Sequence, residues 1–377
     1  MSEHDVAIVG AGPAGISVAL SLRDRGLRPL LIDRADHVGS SWRGRYDRLK
    51  LNTGRPFSHL PDRPYPEGTP MFPTRDDVVA HLARHAGEDG IDLRLGNDVQ
   101  RIERRDEGWR VRTATGDIDS RQVVVATGNQ HMPRIPRWPG ADGSTADLVH
   151  SSQYRNPGPY QGRKVLVVGS GSSGLEIAHD LAIGGAAKVW LAIRNPPNIL
   201  LRSLPGGLPG DLISLPLYRL PIRIADAIGR AARRKNLGDL TEFGLPIPDE
   251  GTFFRVKNHE QVPALVDMEV IDAIRDGSIE VVATVESFAV DKVVLVDGSR
   301  LDPHAVVVAT GYERGLEPLV GHLGVLDAQG KPVVWGERPA AKGLWFIGYD
   351  VRPSLIGYMA KQSKRMAKRI ARELSAA

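Results

Sequence analysis

A chain of 377 residues with 41% hydrophobic and 25% charged content has the balance of a globular protein, long enough for two or three domains around a substantial core. The complete lack of cysteine excludes disulfides, thiolate metal sites and redox dithiols together, and no metal site is predicted. The net charge of +4 comes without the clustered Lys/Arg and interleaved aromatics of a nucleic-acid binder, so no nucleic-acid partner is expected.

No apolar run reaches the roughly 18 residues that span a bilayer, and the N-terminus leaves no room for a signal peptide before the first strand. A cytoplasmic chain without membrane contact is therefore expected. Val6-Ala7-Ile8-Val9 is an apolar strand that runs into Gly10-Ala11-Gly12-Pro13-Ala14-Gly15. A helical pattern follows (Ile16, Ala19, Leu20, Leu22), then Gly26 and a second apolar strand, Leu30-Leu31-Ile32, ending at Asp33. Strand, glycine turn, helix and strand in this order form the unit that binds a dinucleotide. Gly10 permits the tight turn, Gly12 lets backbone approach a pyrophosphate, and Gly15 lets the helix lie close on the strand. The anion rests on free N–H groups at the helix N-terminus, and Asp33 is placed to accept hydrogen bonds from a ribose diol.

Residues 51–73 are rich in Pro and Gly yet carry Asn52-Thr53, Phe57, Tyr65 and Phe72. That composition predicts an ordered loop lining a site rather than a linker. A helix is expected over 74–86, capped by Thr74 with Asp76 and Asp77 in its first turn. Short strands are expected at 92–95, 99–102, 109–113 and 117–119, and a buried one at 123–125 that ends in Ala126-Thr127-Gly128. Pro133, Pro136 and Pro139 then mark a domain crossing. The opening pattern returns in Lys164-Val165-Leu166-Val167-Val168, the turn Gly169-Ser170-Gly171-Ser172-Ser173-Gly174, a helix over 175–182 and a strand over 189–193 that ends at Arg194. Two such units predict two dinucleotide sites. The first ends on an acid and the second on a base, which suits a 2′-phosphate and favours NADP at the second site.

Residues 196–263 are less regular. Leu204, Leu208, Leu212, Leu215, Leu217, Leu220, Ile222, Ile224 and Ile228 suggest apolar helical segments, broken by prolines and followed by the basic run at 230–235. A lid or membrane-surface patch and packing against the second nucleotide unit are both open readings. A helix over 268–276 and strands near 279–282 and 292–296 follow, then Ala305-Val306-Val307-Val308 ending in Ala309-Thr310-Gly311-Tyr312, and another strand over 343–348. The last helix has the stripe Ile356, Met359, Ser363, Met366, Ile370 and Leu374, with Lys361, Lys364, Arg365, Lys368, Arg369 and Arg372 on its wet face.

Two dinucleotide units, each closed by an Ala-Thr-Gly strand, resemble the two-dinucleotide-binding flavoproteins over nearly the whole chain. The chain is most similar to the flavin-containing monooxygenases, and among them to the plant YUCCA-type enzymes. The residues carrying this are Val38-Gly39-Ser40-Ser41-Trp42, Tyr46-Asp47-Arg48-Leu49-Lys50-Leu51, Ile193-Arg194, the segment from Leu237-Gly238-Asp239 to Gly251, and Ala309-Thr310-Gly311-Tyr312. Of the family's identifying motif, F-x-G-x-x-x-H-x-x-x-(Y/F/W), His150 and Tyr154 stand, whereas Ser144 and Ala146 replace the Phe and Gly. His150 is read as a hydrogen-bonding residue at the domain crossing.

The resemblance implies an α/β fold of two Rossmann-like domains with the NADP domain inserted into the FAD domain. Residues 1–155 are assigned to the first part of the FAD domain, 160–300 to the NADP domain with 196–263 as a helical insertion, and 301–377 to the returning part. It implies FAD and NADPH as cofactors. Contacts are expected at Gly10, Gly12, Pro13, Ala14, Gly15, Asp33, Arg34, Ser41, Trp42, Asn52, Val99, Ala126, Thr127, Gly128 and Asp350 around the first site. At the second they are expected at Gly169, Ser170, Gly171, Ser172, Ser173, Gly174 and Arg194, with Ala309, Thr310, Gly311 and Tyr312 beside them. Asn52 is the candidate catalytic residue: an amide offers donor and acceptor and never ionises, so it steadies a peroxide without protonating it.

The implied reaction is reduction of FAD by NADPH, addition of O2 to give a flavin C4a-(hydro)peroxide, and insertion of one oxygen atom into a small organic substrate. That substrate is a soft N or S centre, or a carbonyl compound such as a 2-oxo acid. The alternative is a flavin NAD(P)H dehydrogenase that reduces a quinone or other acceptor. A flavin-binding sensor has little need of the second turn, and the lack of cysteine removes a disulfide reductase. Oligomeric state is open, a homodimer included.

Overall fold

A computed structural model describes residues 4–376. Two five-stranded parallel sheets organise it. The first runs in the order Leu344–Phe346, Gln122–Val125, Val6–Val9, Pro29–Ile32, Asp92–Arg94. The second runs Glu280–Val282, Lys188–Ala192, Lys164–Val168, Ala305–Val308, Asp147–His150. Their inner strands are short, Val/Ile/Leu-rich and buried, Val6–Val9, Gln122–Val125 and Ala305–Val308 at every position and Lys164–Val168 at all but its first, as a parallel sheet covered on both faces requires.

The helix Pro13–Arg23 starts with Pro in its first turn, where the missing N–H costs nothing. The C-terminal helix Leu355–Ser375 packs along it. Met359, Met366, Ala367, Ile370 and Leu374 share a core with Ile16 and Leu20, and the hydroxyls of Ser21 and Ser363 meet at 3.0 Å inside it. The basic residues of this helix face outward, as the stripe predicted. Thr74 and Asp77 form a reciprocal capping box at the start of Arg75–Glu88. Among the described residues no helix is long and apolar enough to cross a membrane.

The sequence-based division needs two changes. Ala305–Val308, assigned to the returning segment, pairs with Lys164–Val168 in the second sheet. Asp147–His150, assigned to the first part, pairs with Ala305–Val308. A valine-rich strand buried on both faces carries no mark of which sheet it joins. Residues 196–263 form the parallel pair Ile199–Leu201 and Ala264–Val266 and the helices Asp211–Leu217, Ile222–Leu237 and Thr252–His259. Leu208, Leu212, Ile213, Leu220, Ile224 and Ile228 are exposed, so these side chains do not pack on the second sheet. The carboxylates of Asp211 and Asp226 turn inward instead and accept from the backbone N–H groups of Gly54 and Phe253.

Candidate nucleotide and flavin site

The two glycine turns are built alike. A Cβ on Gly10 would stand 2.6 Å from the Ala126 carbonyl oxygen, and one on Gly169 would stand 2.4 Å from that of Ala309. Both residues have φ above +100°, a region open to glycine. A Cβ on Gly15 would fall 1.8 Å from the Gly10 carbonyl oxygen and one on Gly174 1.9 Å from that of Gly169. The middle glycines differ from these: a Cβ on Gly12 or Gly171 meets no protein atom within 4 Å. The space above each middle glycine is thus left clear at a helix N-terminus, where a pyrophosphate fits.

Asp33 does more than was expected of it. Its Oδ2 accepts from Ala11 N–H at 2.6 Å and its Oδ1 from Ala35 N–H at 2.9 Å, so the carboxylate braces the first turn from the strand end. A carboxylate keeps further lone pairs for a ribose diol. Arg34 is exposed and lies 3.5 Å from His131 Nε2. Ser41 and Trp42 sit on the short helix Ser40–Arg43, with Trp42 against the first core. Val99 opens a buried strand position, and Thr127 Oγ1 meets Tyr349 OH at 2.9 Å. Asp350 follows, with Oδ2 buried and bonded to nothing among the described residues. A buried carboxylate oxygen without a donor points to a missing hydroxyl partner, as a ribityl chain supplies.

At the second turn Arg194 is exposed at the strand end and has no acidic partner among the described residues. Ser170 Oγ donates to the Asn195 carbonyl at 3.3 Å, which ties residues 194–195 to the turn. Ser172 Oγ accepts from Leu265 N–H. Thr310 and Gly311 also bond across the crossing, while a Cβ on Gly311 meets no protein atom within 4 Å. Thr310 Oγ1 donates to the Arg134 carbonyl, and His150 Nε2 lies 3.0 Å from the Gly311 carbonyl. Because Ser152 N–H donates to His150 Nδ1, Nε2 carries the proton, and burial lowers this imidazole's pKa. Tyr154 OH donates to the buried Asp180 at 2.8 Å. Tyr312 OH accepts from Arg45 at 2.5 Å.

Asn52 is half-buried, and its Oδ1 accepts from Arg202 Nη2 at 3.3 Å. Arg202 is 3% exposed and also bonds Glu176 and Asp267. Tyr46 OH donates to the other oxygen of Glu176. Burial raises the Glu176 pKa, with the Arg202 charge opposing. Arginine has no acceptor, so it fixes the amide with Oδ1 inward and leaves the Nδ2 protons as donors. Sequence reasoning missed Arg202, Glu176 and Asp267. No spacing connects them, and only the packing of the helix Ser172–Ile183 beside the pair at 199–201 and 264–266 brings them to Asn52.

This architecture, two glycine-turn units on two parallel sheets, is that of the two-dinucleotide oxidoreductases. A family model described as pyridine nucleotide-disulphide oxidoreductase matches residues 7–198. Indole-3-pyruvate monooxygenase YUCCA1 of Oryza sativa subsp. japonica is 34% identical over 356 residues, which is 92% of this chain and 86% of that protein. Probable indole-3-pyruvate monooxygenase YUCCA3 of Arabidopsis thaliana is 34% identical over 318 residues, 81% and 72% of the two chains. The structure of a flavin-containing monooxygenase from Stenotrophomonas maltophilia matches the whole of both chains with a TM-score of 0.73 at 21% identity. The chain belongs to the flavin-containing monooxygenase family, in its YUCCA-like branch, and is an oxidoreductase. The dithiol chemistry in the family model's description is not this chain's, which has no cysteine.

Proposed function

We propose that this chain is an FAD- and NADPH-dependent monooxygenase that inserts one oxygen atom of O2 into a small organic substrate. The observation that carries the reading is the pair of cradles over Gly12 and Gly171, one per sheet. FAD takes the first, with Asp33 at its adenosine ribose and the orphaned oxygen of Asp350 at its ribityl chain. NADPH takes the second, with its 2′-phosphate on Arg194, whose guanidinium lacks an internal acid and suits a phosphate. The NADP domain is the second sheet with residues 196–263, inserted between the fourth and last-joining strands of the FAD domain.

When bound, the reduced flavin supplies the electrons that activate O2. The chain's own residues orient and enclose. With its Oδ1 held by Arg202, Asn52 would have its Nδ2 protons free to donate to a bound flavin. The Tyr46–Glu176–Arg202 links tie that amide to the helix that follows the NADP turn. His150, neutral and anchored on Gly311, orders the crossing. Among small substrates, the relatives named for indole-3-pyruvate support a 2-oxo acid over an N or S centre.

Turnover of phenylpyruvate with NADPH under isotopically labelled dioxygen tests the reading. One labelled atom in the organic product and one in water is expected. NADPH oxidation that leaves the product unlabelled, or that passes anaerobically to a quinone, would overturn it.

A further inference from the structure

Three segments meet around the loop that carries Asn52. Gly54 N–H donates to Asp211 Oδ2 at 2.6 Å, which fixes the start of the helix Asp211–Leu217. Ser354 Oγ donates to the Phe57 carbonyl at 2.5 Å. A Cβ on Gly357 would stand 2.1 Å from that same carbonyl oxygen, so the first turn of the C-terminal helix is pressed onto the loop. Tyr218, just past the first helix, and Arg352, just before the second, face each other across this junction.

The Arg352 guanidinium lies 3.6 Å from the Tyr358 ring centroid and 5.4 Å from that of Tyr218. Its Nε is buried and bonded to nothing. Among the described residues it makes no ion pair, unlike the arginines at 63, 75 and 202. Lys257 stands 5.0 Å from the Tyr218 ring, and its one hydrogen bond is a long one, 3.5 Å to the Leu220 carbonyl. Two cations therefore flank Tyr218, and neither makes an ion pair among the described residues. Stacking on a ring leaves the edge of a guanidinium, where its five donors lie, open to an anion.

In the reading proposed above, the phosphates of both nucleotides sit at the glycine turns and Arg194. The anion left to satisfy Arg352 is the substrate's. Apolar side chains are exposed on the segments that meet at this junction: Met71, whose sulfur lies within 3.0 Å of a Cβ built on Gly54, and Leu212 and Ile213 on the helix that Asp211 anchors. We propose that Arg352, stacked between Tyr358 and Tyr218, receives the carboxylate of an anionic substrate with an apolar body, a 2-oxo acid, at the edge of the Asn52 loop. The inference rests on the monooxygenase reading above. Lys257 adds long-range charge; Arg352 supplies the directed bonds.

Phenylpyruvate and phenylacetone differ by a carboxylate against a methyl group on the same ketone, so their ratio of kcat/KM isolates the anion. In Arg352→Met the preference for phenylpyruvate should fall about 10- to 100-fold, the worth of a charge-assisted hydrogen-bonded pair. Arg352→Lys should keep part of it. Equilibrium dialysis of phenylacetate against the FAD-loaded protein gives a readout without turnover. Its binding should weaken by a similar factor in Arg352→Met and weaken with salt in the parent. Phenylacetate bound equally by parent and variant, or an unchanged substrate preference, would overturn the carboxylate site while leaving oxygen transfer standing. Arg352-dependent phenylacetate binding without oxygen transfer to phenylpyruvate would support the site and overturn the monooxygenase reading instead.

Discussion

The two glycine turns share a backbone and differ in what surrounds it. Gly10 rests on Ala126 and Gly169 on Ala309 at nearly the same separation, and each third glycine closes on the first. At the first turn, however, Asp33 is drawn in to hold Ala11 and Ala35, whereas at the second Arg194 stays exposed, without an acidic partner among the described residues. One backbone turn thus carries two different strand-end residues, an acid drawn inward at the first and a base left outward at the second.

The sharpest way to separate the turns is to close each one. Gly15→Ala and Gly174→Ala both place a Cβ inside 2 Å of a backbone oxygen, a clash worth at least about 3 kcal/mol where the helix cannot retreat. The first variant should lose bound FAD, read by flavin absorbance after gel filtration. The second should keep FAD and lose NADPH saturation kinetics. Loss of FAD from both would break the division of labour.

Next in size is the link between the halves. Arg202→Met strands Glu176 as a buried carboxylate whose side chain is 12% exposed, at a cost of about 3–5 kcal/mol when the acid is ionised. Because burial already raises the Glu176 pKa, the unfolded chain gives up that proton first as pH rises. Destabilisation of the variant should therefore grow as pH climbs above the usual carboxylate range and shrink in acid, measured by urea unfolding across pH. A pH-independent loss would show that packing, not the charge, is at stake.

A smaller effect is expected at the strand end. Arg194→Ser should reduce the preference for NADPH over NADH, in kcat/KM, about 10- to 100-fold, and Asp33→Asn should leave that ratio alone. The smallest belongs to His150. Burial lowers its pKa from 6.5, so the unfolded state binds the proton first and stability should fall as pH drops below 6.5. His150→Gln should flatten that slope slightly in thermal melts.

The glycine turns, the flanking strands and the capping box at Thr74 were legible because each is a local rule: turn chemistry, apolar run, cap spacing. Sheet membership was not. Ala305–Val308 and Gln122–Val125 read alike, and only their neighbours distinguish them. The same limit hid Arg202: its partners at 52, 176 and 267 are joined by tertiary packing alone. Leu208, Leu212, Leu220, Ile224 and Ile228 had the spacing of a core face, yet they are exposed, while the two carboxylates among them turn inward to bond backbone N–H groups.

In the proposed reaction electrons pass between two nucleotides held by one chain. Anaerobic addition of NADPH to the FAD-loaded protein measures this directly. Bleaching of the oxidised flavin band at one equivalent of NADPH is predicted, and its loss in Gly174→Ala with FAD still bound. A flavin that stays oxidised while NADPH is bound would contradict it.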